Sequence, residues 1–235
     1  MRLTISWLRS AWTLTLFAVF AIGALLISPL MLLLRRRERC QPIVRATWRL
    51  LLKIFTATRL IRLETSGDKK LNGAVIVANH PSLIDVVIIT AIVPRTLYVA
   101  KRALRKNLFL SAIVNATSLP DDASLAEAAA PLLERGWNVL IFPEGTRSPA
   151  NGGMHPFHRG AAQLALRTGA DIVPLRIDQS RRILGKRQCV WDVGDATVEY
   201  RFNFRPAIKV TRLENKIRSE AIALTERLAG MLGGA

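Results

Sequence analysis

Cysteine is scarce in this chain, with only Cys40 and Cys189 among 235 residues. They lie far apart and in no metal-ligand or redox spacing, so neither a disulfide framework nor a zinc site is indicated. Also missing are a G-x-S-x-G elbow, a P-loop and a G-x-G-x-x-G turn, which removes the serine hydrolases and the common nucleotide-binding readings. No internal repeat, low-complexity tract or Gly/Ser-rich linker divides the sequence. Its length suits one domain of ordinary size plus an anchoring segment. Acidic residues are few, 17 against 34 Lys and Arg, for a formal charge of +17.

A basic balance alone suits nucleic acid and anionic lipid equally, since both present dense negative charge. The N-terminus decides for a membrane lipid surface and against nucleic acid. Positions 12–34 form a run of 23 residues without a charge, rich in Leu, Ala, Ile and Phe. At about 1.5 Å per residue such a run crosses a bilayer as a helix. It exceeds the apolar region of a signal peptide, about 7 to 15 residues, and no clear cleavage site follows. Pro29 allows the alternative of a kinked segment entering one leaflet. Arg35, Arg36, Arg37 and Arg39 follow the run, against Arg2 and Arg9 before it, so the positive-inside bias predicts the inner membrane with the rest of the chain on its cytoplasmic side. Next, Arg45, Arg49 and Lys53 recur every four residues among Val44, Trp48, Leu51, Leu52, Ile54 and Phe55. That spacing predicts a basic amphipathic helix, either interfacial or an ordinary domain helix with a solvated face. The expected organisation is an anchor and interfacial helix over 1–62 and one further domain over 63–235.

From residue 74 onward, short apolar runs alternate with helical patterns, the order of an α/β domain with a mostly parallel sheet flanked by helices. Strands are predicted over 74–78, 96–100, 138–142, 172–177, 188–193 and 197–204. Helices are predicted over 82–93, 124–135, 160–168 and 213–232, with Gly136 and Gly169 as stops.

Asn79, His80 and Pro81 fall where a strand ends and a helix begins, the edge of an α/β sheet at which ligands collect. Asp85 follows His80 by five residues, one turn inside a helix that starts near Pro81 or Ser82, so its carboxylate can turn back to the imidazole. A carboxylate so placed fixes the imidazole tautomer while the other ring nitrogen removes a proton from a hydroxyl. By itself, His with Asp at this spacing is also common as a helix cap and its support. After the strand at 138–142 comes Phe142-Pro143-Glu144-Gly145-Thr146-Arg147-Ser148. Pro143 and Gly145 predict a tight exposed turn from which Glu144, Thr146 and Arg147 project. Arg147 suits an anionic headgroup, because its planar fork holds phosphate or carboxylate bidentately. His155 and His158 are separated by Pro156 and lack a carboxylate or cysteine cluster, a poor metal site, so no metal is expected.

Asn79 to Asp85 and Phe142 to Ser148, in this order, resemble two blocks of the lysophospholipid acyltransferase family, and Val173-Pro174-Leu175 resembles a further, less specific one. The resemblance covers roughly residues 73 to 178. It implies transfer of a fatty acyl group from a thioester, acyl-CoA or acyl carrier protein, to a lysolipid hydroxyl. His80 would be the general base, Asp85 its partner, and Glu144, Gly145, Thr146 and Arg147 the acceptor lining. No covalent acyl-enzyme and no cofactor beyond the thioester co-substrate are implied. The family's lysophosphatidate enzymes often carry an aromatic-Ile-Asp-Arg stretch, whereas this chain reads Ala116-Thr117-Ser118-Leu119-Pro120-Asp121-Asp122. Lys101, Arg102, Arg105 and Lys106 are the candidates to supply the missing cation, Lys101 foremost. The expected acceptor is 1-acylglycerol-3-phosphate, with a lyso-ornithine lipid or a glycolipid as alternatives, and a non-catalytic membrane adaptor as the rival class.

Overall fold

The structure, a computed structural model, describes residues 7–16, 18–19, 22–23, 37–105, 111–150, 153–185, 188, 192 and 194–233. The predicted anchor over 12–34 lies mostly outside these residues, as does the predicted strand over 188–193. No helix among the described residues is long and apolar enough to cross a membrane. The helical residues 7–16 rest on the domain. Thr13 and Leu16 are buried, Leu16 in the same core cluster as Leu51 and Phe55, while Trp7, Leu8 and Trp12 stay exposed. Arg9 donates to the carbonyls of Arg59, Gly194 and Ala196.

Helix α1 spans Arg37–Ala57, and strand β1, Ile61–Ser66, follows. Its alternating burial contains the charged Arg62 and Glu64, and no apolar run announces it as a strand. Strand β2 (Val75–Ala78), helix α2 (Asp85–Ile92) and strand β3 (Thr96–Ala100) come next. Short elements α3 (Arg102–Arg105), α4 (Ser111–Thr117) and β4 (Ser118–Pro120) precede α5 (Leu125–Glu134), β5 (Asn138–Ile141) and α6 (Gly160–Thr168). The chain closes with β6 (Ile172–Gln179), β7 (Val198–Phe204) and α7 (Ile217–Gly233).

The seven strands form one sheet in the order β1-β7-β6-β2-β5-β3-β4. Every pairing is parallel except β6 with β7, so β7 and β1 run against the other five. Val75, Ile76 and Val77 are fully buried, as expected of a central parallel strand covered on both faces. Alternate residues divide between two cores. Ile76, Leu140, Leu175, Ile177 and Tyr200 pack with Leu51 and Phe55 of α1 and Ile84, Ile88 and Ile89 around α2. On the opposite face, Val75, Val77, Val139 and Ile172 pack with α5, α6 and α7 through Leu132, Leu164 and Leu228. Helix α1 therefore belongs partly to the core. Arg49 and Lys53 of its basic stripe are exposed, but Arg45 is half-buried, with an Nε that finds no partner. Burial and the neighbouring Arg49 hold the Arg45 guanidinium below its ordinary pKa.

Candidate active site

Strands β2 and β5 are adjacent and parallel, so the loops after them leave the same edge of the sheet side by side. Asn79 fixes the first loop. Its side-chain amide donates to the Ile177 carbonyl and its oxygen accepts from the Ile177 N–H, both at 2.8 Å. A side chain thus continues the β2–β6 ladder after the backbone has turned away. Freed from the ladder, the His80 N–H reaches Glu144 Oε1 at 3.1 Å and Ser148 Oγ at 3.2 Å, and the His80 carbonyl accepts from the Ser148 N–H at 2.7 Å.

The helix after this loop begins at Asp85, later than the sequence pattern predicts, because Ser82 to Ile84 form a turn first. Asp85 Oδ2 accepts the Ser82 N–H at 2.8 Å and lies 2.9 Å from His80 Nδ1. The Asp85 carboxylate therefore reaches back to the backbone at the start of its own turn and holds the imidazole with the same oxygen. The Asp85 side chain is 0% exposed and that of His80 15%, so the carboxylate is sealed and the imidazole reaches the surface. Burial pushes the Asp85 carboxyl above its ordinary pKa, while the His80 contact, the Ser82 N–H and the Arg182 charge pull it back. With Nδ1 facing the carboxylate, Nε2 is the ring nitrogen left for chemistry. Phe142 stacks on the imidazole, centroids 4.0 Å apart and planes 20° from parallel.

Glu144 departs from the expectation that it projects from an exposed turn toward an acceptor. It is 3% exposed. Its Oε1 accepts from Ser148 Oγ at 2.5 Å as well as from the His80 N–H, and its Oε2 accepts from the His155 N–H at 2.8 Å. A carboxylate with three donors from its own chain ties the loops together from a buried position. Gly145 is required by the backbone, with φ at 61°, and a Cβ there would come 3.2 Å from the His158 ring. His155 and His158 thus brace the second loop, the latter donating its N–H to the Pro143 carbonyl.

Arg147 Nη1 donates to the Leu184 and Gly185 carbonyls, both at 2.9 Å. This anchors a segment that the sequence did not connect with the site. Thr146 is half-buried beside it. Lys101 is exposed at the end of β3, the strand next to β5. The structure brings His80, Asp85, Glu144, Gly145 and Arg147 into one assembly, with Lys101 on the neighbouring strand end. Arg182 escaped the sequence reading. It donates to the carbonyls of Pro81 at 3.4 Å, Ser148 at 2.6 Å and Pro149, joining both loops from a third direction. Nothing in the local pattern around Arg182 signals this, because its partners are backbone atoms about a hundred and about thirty residues away.

The family model described as Acyltransferase matches residues 61–178. Over 112 residues the chain is 35% identical to a 1-acyl-sn-glycerol-3-phosphate acyltransferase of Cocos nucifera, covering 43% of this chain and 36% of that protein. Over 158 residues it is 29% identical to a human 1-acyl-sn-glycerol-3-phosphate acyltransferase beta, covering 59% of this chain and 54% of that protein. The chain thus spans about half, or less, of these curated relatives. A solved structure of the 1-acyl-sn-glycerophosphate acyltransferase of Thermotoga maritima shares the fold, with a TM-score of 0.66 at 22% identity, over 98% of this chain and 95% of that one. The chain belongs to the acyltransferase family.

Proposed function

We propose that this chain transfers a fatty acyl group from a thioester, on coenzyme A or acyl carrier protein, to the hydroxyl of a lysolipid, with 1-acylglycerol-3-phosphate as the first acceptor. The observation that carries this reading is the contact of His80 Nδ1 with a fully buried Asp85, which leaves Nε2 on an imidazole that reaches the surface. His80 Nε2 takes the acceptor's O–H proton as that oxygen attacks the thioester carbonyl. The C–S bond then breaks, and the departing thiolate takes the proton from the imidazolium. Asp85 holds the tautomer and offsets the imidazolium charge. Gly145, Thr146 and the Arg147 guanidinium border the acceptor, with Lys101 as a further cation. The names of the relatives support both the reaction class and the acceptor.

A second acceptor class is favoured by one observation. Where the family's arginine would stand, the end of β4 leads into Asp121 and Asp122, two negative charges where a phosphate would want a positive one. A less anionic lysolipid, such as lyso-ornithine lipid or a glycolipid, fits that edge better. In this reading residues 1–62 anchor the protein to the inner membrane, and residues 63–235 act on its cytoplasmic side. The test mixes purified protein with an acyl thioester and a panel of lysolipids, follows free thiol, and identifies product by mass spectrometry. Thiol release and acylated product with one acceptor are expected. Absence of product with every acceptor and with both donors would sink the enzymatic reading in favour of a membrane adaptor.

A further inference from the structure

Behind the Asp85 carboxylate lies a group of polar atoms that the site described so far does not use. Asp85 Oδ1, Ser82 Oγ, the Tyr200 hydroxyl and both side-chain polar atoms of Gln179 are fully buried and make no hydrogen bond of standard geometry within the protein. Five such atoms gathered in one place are unusual, since buried polar groups nearly always find partners. Gln179 and Tyr200 are direct cross-strand partners on β6 and β7, so their side chains emerge on the same face. That face carries Tyr200 in one core cluster with Ile84 and Ile88, which flank Asp85. The hydroxyl lies within interaction range of Ser82 and Gln179 and feels the Asp85 charge.

We propose that Tyr200, with Ser82 and Gln179, is a positioning residue that holds the Asp85 carboxylate from behind through Oδ1, directly or through one buried water. This inference rests on the acyl-transfer reading for its kinetic consequence only. The chemistry is one-sided. Burial and the Asp85 charge push the Tyr200 phenol well above its ordinary pKa, so at neutral pH it keeps its proton and faces the carboxylate as a donor. Oδ2 is already shared by His80 and the Ser82 N–H, which leaves Oδ1 as the oxygen in need of a donor. The charged and titratable groups facing Asp85 are then His80 in front, Tyr200 behind and Arg182 alongside. A carboxylate gripped at both oxygens cannot rotate away from the imidazole or readily take its proton.

Tyr200→Phe removes one oxygen and no volume of consequence. It is expected to lower kcat about tenfold, the worth of one hydrogen bond to a charged group. KM should change little, and the acidic limb of the rate profile should move to higher pH, because the anionic form of the His80–Asp85 pair loses a donor. Carboxyl-carbon NMR of Asp85, assigned by subtraction of Asp85→Asn, reads the same effect without any substrate, and its titration should move upward in Tyr200→Phe. This second readout stands even if no lysolipid proves to be an acceptor, which separates failure of the inference from failure of the reaction. Were Tyr200→Phe to lose its fold, Gln179→Met and Ser82→Ala each remove one member of the cluster and give the same readouts. A purely structural role predicts a lower melting temperature with an unmoved Asp85 titration. That result would overturn the proposal.

Discussion

His80 and Asp85 illustrate how far single residues can be read from a sequence. His80→Ala should lower turnover by roughly 100-fold to 10,000-fold, as loss of a general base does, with the fold retained in urea unfolding. Near-normal activity would remove His80 from the mechanism. Asp85→Asn should be nearly as damaging to turnover, yet it should stabilise the fold as pH rises. The sign follows from the raised carboxyl of Asp85. Its proton is bound more tightly folded than unfolded, so its stabilising contribution is complete below the ordinary carboxyl pKa of 3.8 and is lost as pH climbs through the raised folded value. Unfolding free energies of the two proteins compared across pH check this, and a difference that does not widen toward neutral pH counts against it. The pairing was legible because His and Asp lie in one short loop. Glu144 was misplaced because a glutamate between Pro143 and Gly145 reads as exposed, and its donors come from two segments that the local sequence does not join. Arg147 was picked out by its motif, but its tether to Leu184 and Gly185 was not legible. Arg147→Ala should therefore raise the acceptor KM more than the donor KM and also loosen the segment around residue 184. Arg147→Lys should restore only part of each loss, since an ammonium lacks the planar fork. Steady-state kinetics and hydrogen exchange over that segment measure the two effects separately.

Among the elements, the long periodic ones were readable and the short polar ones were not. β2, β3, β5, β6 and β7 follow apolar runs, and α5 and α6 follow helical spacing with glycine stops. β1 was missed because an edge strand buries only alternate residues and carries charge on the others. The three-residue β4 exists only through its pairing with β3. Asn79 is the junction where element geometry becomes site geometry, since its side chain replaces a ladder rung. Asn79→Ala should cost about 2 to 4 kcal/mol, because it strands the buried N–H and carbonyl of Ile177. Asn79→Asp should recover little, since a carboxylate cannot donate to that carbonyl. Chemical unfolding gives the cost, and a loss well under 1 kcal/mol for Asn79→Ala would show that the backbone closes the ladder unaided.

At the scale of the whole molecule, the proposed function has the basic excess and the N-terminal residues act together at a lipid surface. Deleting residues 1 to 40 should release part of the protein from anionic vesicles and leave a remainder that high salt removes, because Arg49 and Lys53 remain exposed on α1. Sedimentation with vesicles at two ionic strengths measures this, and full binding of the truncated protein at high salt would contradict it. The same deletion should lower the melting temperature, since it removes Leu16 from the core and Arg9 from three carbonyls. The sheet order has a further consequence, for the protein during its own synthesis. β1 pairs with β7, Ile61 opposite Val198, and among the described strands with no other. A ribosome must therefore add well over a hundred residues before the first strand meets its neighbour, and a contact so distant in sequence is slow to close. Tyr200, behind Asp85, arrives in that same late strand. A nascent chain halted before β7 would carry both signature loops with the rear of the carboxylate still open, so the full rate of any chemistry should be reached only as the last strand is threaded in.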